Sequence, residues 1–288
     1  MSNPFPVTEA LLCYFVATLA RQGLAPTTIR TYLAAVRHAQ IMRGFPEPRQ
    51  SSSLPRLHLV QCGVRRERGQ YGPPPKERLP ITPPILRQIR ESLSSVQPQH
   101  DSAMLWAAAS ACFFGFFRAG EITIPSVTAF DRTVHLAWGD VSVDPGQPPT
   151  RVRILLKRSK TDQFGRGVAV FLGATGDELC PVAGILSFVA LRGNTAGPFF
   201  RFLDGTPLTK SRFVSHVREA MARAGIPTHN YSGHSFRIGA ATAAAQAGLQ
   251  DSTIQALGRW SSNAFLRYIR RPQDTLARYS CTISGGRC

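Results

Sequence analysis

Tyr268 lies in the run Phe265-Leu-Arg-Tyr-Ile-Arg270, downstream of His234-Ser-Phe-Arg237 and Gly258-Arg-Trp260, and a separate Arg118-Ala-Gly-Glu121 stands far upstream. Lys160 falls between the two arginines Arg118 and Arg237. A phenol, an imidazole and several fixed cations suit one chemistry. A phosphodiester carries a negative charge that spreads further in the transition state, and cationic donors around it stabilise that charge without a metal. The phenol then attacks phosphorus and holds the broken strand covalently until another hydroxyl reverses the bond.

Each of these residues is ordinary by itself. A lone tyrosine on an amphipathic segment is usually core or surface, a lone histidine usually a structural hydrogen-bonding group, and a tryptophan usually core packing. Arg118 alone reads as a surface arginine or half of a buried pair. What argues for chemistry is their joint order. Glu121 is expected to orient Arg118 or a neighbour rather than react, since a buried charge needs a partner.

The elements that would present these groups follow from periodicity. Residues 7 to 22 carry Leu11, Leu12, Tyr14, Phe15 and Leu19 at helical spacing, ended by Gly23, and a second helix opens at Pro26 with Ile29, Tyr32, Leu33 and Val36 on one side. A third is expected over 53 to 62, and the Gly- and Pro-rich stretch 69 to 84 reads as a linker. The expected organisation is therefore a small all-α domain over 1 to 78 and a second domain over 79 to 288. The second is mainly α with a small antiparallel sheet, an α+β arrangement. Its helices are expected near 85 to 94, 104 to 117, 182 to 191 and 211 to 224. Strands are expected near 133 to 143, 152 to 156 and 167 to 172, with a polar hairpin end at 157 to 166 carrying Lys157 and Lys160. His234 and Arg237, three residues apart at a helix start, are placed on one face beside N–H groups that favour an anion. The mostly small run from Gly239 to Ala245 predicts close helix packing. Asp251 or Ser252 is expected to cap a short helix ended by Gly258, and Ser262 or Asn263 the segment that carries Tyr268 on its own movable element.

Composition bears on the partner. The 34 Lys and Arg against 17 Asp and Glu leave a formal charge of +17. Only four of the bases are lysines, Lys76, Lys157, Lys160 and Lys210, so arginine carries the excess. Its planar fork suits bidentate phosphate contacts, which makes a polyanion the expected partner. Arg30, Arg37, Arg158, Arg212 and Arg259 are the candidate DNA-facing arginines, although Arg212 and Arg218 read equally well as solvated charges. The six cysteines, Cys13, Cys62, Cys112, Cys180, Cys281 and Cys288, show no zinc-ligand spacing, so no metal site and a reducing compartment are expected. No apolar run is long enough to span a bilayer, the start lacks a signal-peptide pattern, and Leu208-Thr-Lys-Ser211 lacks the glycines of a phosphate-binding loop. No membrane and no small-molecule cofactor are expected.

The order and wording of these pieces resemble the tyrosine recombinases of the phage integrase family, most closely its Cre-like branch. The resemblance covers residues 80 to 275 well and the first 78 more loosely. It implies that Arg118, Arg237 and His234 are catalytic, that Lys160 rather than Lys157 is the hairpin lysine, and that Trp260 stands where members carry histidine or tryptophan. Tyr268 would be the nucleophile and Glu121 its site's supporting carboxylate. It implies further a SAM-like core-binding domain at the amino terminus, a clamp on double-stranded DNA, a 3′-phosphotyrosyl intermediate and a synaptic tetramer of the chain on two sites. A domesticated, inactive DNA-binding protein and a topoisomerase IB-like nicking-closing enzyme are the rival readings. Val134-His-Leu-Ala-Trp-Gly-Asp140 and Ala256-Leu-Gly-Arg-Trp-Ser-Ser-Asn263 also look like the recombinase region of DIRS-type and Ngaro-type retrotransposons. That origin implies the nucleus, and a bacterial one the cytoplasm.

Overall fold

The computed structural model describes residues 4–48, 53–74, 77–96, 98–159 and 165–270. The chain divides into two compact units, Met1–Lys76 and Glu77–Cys288.

In the first unit, α1 (Glu9–Arg21), α2 (Pro26–Met42) and α3 (Pro55–Tyr71) surround a small core of Leu12, Val16, Ile29 and Leu57. Thr8 caps α1 by accepting from the Leu11 N–H, and Pro26 begins α2 where no N–H is needed. Glu9 at the start of α1 accepts from the Leu57 N–H at 3.1 Å, fastening α3 to it. α3 runs through Gly69 to Tyr71, into the stretch expected to be linker. One glycine costs a helix only about 1 kcal/mol, too little to end it. Arg30 is exposed, and Arg37 is ion-paired with Glu47 at 2.7 Å; both line grooves beside α2 in this unit.

The second unit is built on α5 (Gln99–Phe114), apolar on most faces and buried from Met104 through Phe113 apart from Trp106. Around it pack α4 (Pro83–Ser94), α7 (Pro181–Arg192), α8 (Lys210–Arg223) and α9 (Ser235–Gln246), with the short α6 (Ala119–Ile122) and α10 (Asp251–Leu257) completing the helical set. The strands β1 (Val141–Val143), β2 (Arg151–Leu156) and β3 (Val168–Gly173) form an antiparallel sheet in that order, with Val143 opposite Val152 and Ile154 opposite Val170. Alternating Val152, Ile154 and Leu156 turn inward to the core. The unit is thus mainly helical with a small antiparallel sheet. β1 is shorter than expected. Residues 131 to 135 turn instead, with the Asp131 carboxylate accepting from the Thr133 N–H and hydroxyl, and Trp138–Asp140 forms one 3-10 turn.

Close packing of α9 is explained by Gly239. A Cβ there would lie 1.8 Å from the Ile81 carbonyl oxygen, and the Ile81 N–H donates to Ser235 O at 3.0 Å, so backbone meets backbone. Among the described residues, no helix is long and apolar enough to cross a membrane.

Candidate active site

Arg118 enters the site from the turn after α5. Phe116 takes a left-handed φ of 50°, which lets the chain reverse into α6 with Arg118 as its N-cap. Glu121 closes that turn on itself: Oε2 accepts from the Arg118 N–H at 2.9 Å and Oε1 from Arg118 NH1 at 2.7 Å. The Glu121 side chain is only 6 % exposed, so this pairing offsets a desolvation cost that would otherwise be large.

Arg259, expected to face DNA, is turned inward. Its own φ of 56° swings the side chain against the same turn, where NH2 meets Glu121 Oε2 at 3.1 Å and NH1 donates to Gly115 O at 2.9 Å. It acts as a brace between the Gly258-Arg-Trp260 segment and the Arg118 turn. Burial is the first cause that lowers its pKa.

His234 and Arg237 do not share an environment. His234 is the exposed N-cap of α9, whereas Arg237 is fully buried, because the side chain one turn in points under the Trp260 ring. Its guanidinium carbon lies 4.2 Å from that ring's centre and 5.8 Å from the Tyr268 ring. NH1 donates to Phe116 O at 2.6 Å and NH2 to Gly258 O, while Nε finds no partner among the described residues. Burial, then the neighbouring Arg118, lowers the Arg237 pKa to about 10, which leaves it charged at neutral pH. For His234, partial burial comes first and the cations Lys210, Arg118, Arg237 and Arg78 follow; all push its pKa below the ordinary 6.5. The imidazole is therefore neutral at pH 7 and able to accept a proton.

Tyr268 ends a 3-10 turn, Asn263–Arg267, whose N-cap Ser262 accepts from the Ala264 N–H. Its backbone is held by Thr242 of α9: the threonine hydroxyl donates to Tyr268 O at 3.2 Å and accepts from the Arg270 N–H at 3.0 Å. The ring is half-buried against Trp260, centroids 5.1 Å apart. Trp260 is buried, and its indole Nε1 has no partner among the described residues. Gly258 makes room for that indole, since a Cβ there would fall within 1.6 Å of it. Upstream, α10 is preceded by Gln250 with no side-chain cap bond, not by the capping Asp251 or Ser252 that was expected.

These elements converge on one open pocket of about 670 Å³. Arg118, Glu121, His234 and Tyr268 line it together with Arg158, Ser159, His135 and Lys210. The buried Arg237 and Trp260, with the half-buried Arg259, form its support rather than its wall. Lys160 lies outside the described residues. Lys157, on the same hairpin, is tied to Asp140 and to the Arg132 carbonyl. Arg212 packs over the Phe202 ring at 3.6 Å and donates to Thr206, apart from this pocket. Two of the wall residues, Lys210 and His135, carry no signal in the sequence, and nor does Thr242 behind the tyrosine. Among the described residues, no cluster of three His, Cys, Asp or Glu is placed to hold a metal.

The class that fold and site define is a helical catalytic unit with a three-stranded sheet and the order Arg, His-x-x-Arg, Trp, Tyr around one cationic pocket. In sequence and in fold the chain is similar to tyrosine recombinases. It is 26% identical over 276 residues to an integrase/recombinase XerD homolog of Selenomonas ruminantium, covering 92% of this chain and 74% of that protein. Against the recombinase Cre of Escherichia phage P1 it is 26% identical over 286 residues, covering 92% and 77%. No family model matches the chain. Among solved structures, the XerH site-specific recombinase in a post-cleavage complex on a palindromic difH substrate superposes with a TM-score of 0.59 at 15% identity, covering 96% of this chain and 70% of that one. The Tn1549 transposon integrase with circular intermediate DNA gives 0.57 at 12% identity, covering 97% and 86%. These likenesses concern the fold.

Proposed function

We propose that the chain cleaves and rejoins DNA strands through a 3′-phosphotyrosyl intermediate. The observation that carries this reading is one pocket in which the Tyr268 ring, the neutral His234 and the Glu121-braced Arg118 line a common wall. At pH 7 about one phenol in a thousand is ionised, so attack on phosphorus requires a proton acceptor or a strongly cationic site. His234 takes the tyrosyl proton as the Tyr268 oxygen bonds to phosphorus. The bond from phosphorus to the 5′ oxygen breaks, and Lys160, on the hairpin, protonates that oxygen. Arg118 donates to the non-bridging oxygens, and the buried Arg237 adds a fixed positive field from beneath the Tyr268 ring while anchoring the carbonyls at 116 and 258. The covalent link conserves the energy of the original bond, so rejoining by a second 5′-hydroxyl needs no nucleotide.

Strand exchange in this reading takes place in a synaptic tetramer on two DNA sites, with exposed arginines such as Arg30 and Arg158 contacting phosphates. A eukaryotic mobile-element host would place the reaction in the nucleus and a bacterial host in the cytoplasm; the relatives above come from a bacterium and a phage. The test is a nicked duplex whose short 5′ fragment diffuses away after attack. Covalent protein-DNA adduct is the expected product. Tight duplex binding with no adduct on any cleavable substrate would favour an inactive DNA-binding protein.

A further inference from the structure

Lysine is rare in this chain, and the described lysines have different surroundings. Lys157 is tied to Asp140 and a backbone carbonyl, whereas the Lys210 ammonium, exposed on the pocket wall, has no hydrogen-bond or ion-pair partner among the described residues. Its backbone is not loose. Thr209 caps α8 through the Arg212 N–H, and Ile124 pairs with Thr209 in an isolated parallel bridge. The Lys210 N–H donates to Ile124 O at 3.1 Å, and the Ile124 N–H to Leu208 O at 3.1 Å. The start of α8 is thereby fastened to the segment that leaves the Arg118 turn. The Lys210 stem passes over Gly120, where an added Cβ would touch its Cδ at 3.9 Å. Holding a long, unpaired cation there costs electrostatic repulsion from Arg118 across the same cavity, a cost that a bound anion would remove.

We propose that Lys210 is a further catalytic residue, its ammonium contacting a non-bridging oxygen of the phosphodiester that Tyr268 attacks. The proposal rests on the strand-cleavage reading above. Consistent with its reach, Lys210 stands first among the cations that depress the His234 pKa.

The test uses the full chain, as wild type, Lys210→Met and Lys210→Arg, on the nicked duplex. Lys210→Met should slow covalent adduct formation at least about tenfold at saturating protein, with duplex affinity changed less than about threefold, and Lys210→Arg should retain most of the rate. Replacing the charged non-bridging oxygen at the cleavage position by methyl should close the gap between wild type and Lys210→Met to within about threefold, since little charge remains to be stabilised. A bridging 5′ sulfur, which leaves without a proton, should not close it. Rescue by that sulfur would make Lys210 the proton donor and overturn the phosphate contact. An affinity loss as large as the rate loss would make it a general DNA contact. Because Lys210 is exposed, its variants should melt with the wild type, which excludes misfolding as the cause. If wild type forms adduct and Lys210→Met does so equally fast, only the Lys210 assignment fails; if wild type forms none, the strand-cleavage reading fails with it.

Discussion

Replacing Arg259 by alanine tests whether this arginine braces the site or binds DNA. In the fold its guanidinium shares Glu121 Oε2 at 3.1 Å and donates to the Gly115 carbonyl at 2.9 Å. Its removal leaves a carboxylate that is 6 % exposed with Arg118 as its remaining cation, and a partly buried carbonyl without its donor. Losing one partner of a buried ion pair costs about 3–5 kcal/mol when nothing replaces it. Glu121 keeps both contacts from Arg118, so the expected loss is nearer ~2–3 kcal/mol, the scale of a hydrogen bond to a charged group. The three tryptophans Trp106, Trp138 and Trp260 all lie in the unit Glu77–Cys288, so urea unfolding followed by tryptophan fluorescence reports that unit directly. Arg118 should also lose its alignment, so cleavage should fall while duplex binding stays near wild type. A stability change under about 0.5 kcal/mol, within the range of an ordinary surface substitution, together with weakened, less salt-dependent DNA binding would refute the brace and restore a DNA-facing Arg259.

Other outcomes follow from the same geometry. Arg118→Ala should remove at least about 3 kcal/mol of transition-state stabilisation, upward of a hundredfold in single-turnover cleavage; a loss under tenfold would assign it to packing. The His234 imidazole should titrate below 6.5 in the free protein by NMR, and a value at or above 6.5 would contradict the cationic wall described here. Because folding depresses that pKa, the unfolded chain binds the proton first, and this contribution to stability declines as pH falls from about 6.5 through the folded value. Cleavage should persist in excess EDTA, since in this reading Arg118, Lys160 and Arg237 supply the positive charge and neutral His234 the proton acceptor; a loss that magnesium restores without rescuing DNA binding would refute the mechanism.

The order of chemical groups was legible in the sequence because it is linear: Arg118, His234 with Arg237, Trp260 and Tyr268 stand in register with a family pattern. The helices that carry them were legible from apolar spacing, and the close approach of α9 from the small residues after Gly239. What escaped was set by contacts distant in sequence or by single backbone angles. Lys210 reaches the Arg118 turn only through the Ile124–Thr209 bridge, and a lone lysine after a capping threonine carries no pattern of its own. The inward turn of Arg259 depends on its left-handed φ, an angle that the sequence would assign to the preceding Gly258, whose φ is an ordinary -81°. Thr242 looked like one more small residue in a packed helix, yet its hydroxyl holds the backbone at Tyr268 and Arg270. His234 and Arg237 at helical spacing suggested one shared face. The space beneath Trp260 separates them, taking the guanidinium inside and leaving the imidazole on the wall.

The most direct measurement of the central claim is the identity of the tyrosine joined to DNA. The wild-type chain would be trapped on a nicked duplex, digested, and its DNA-linked peptide sequenced by mass spectrometry beside a Tyr268→Phe control. A 3′-phosphotyrosyl bond at Tyr268 is expected in the wild type and no adduct in the control, whose duplex binding stays within about threefold because only one hydroxyl oxygen is lost. An adduct that persists in Tyr268→Phe, or that maps to Tyr279 or another residue, would contradict the central claim.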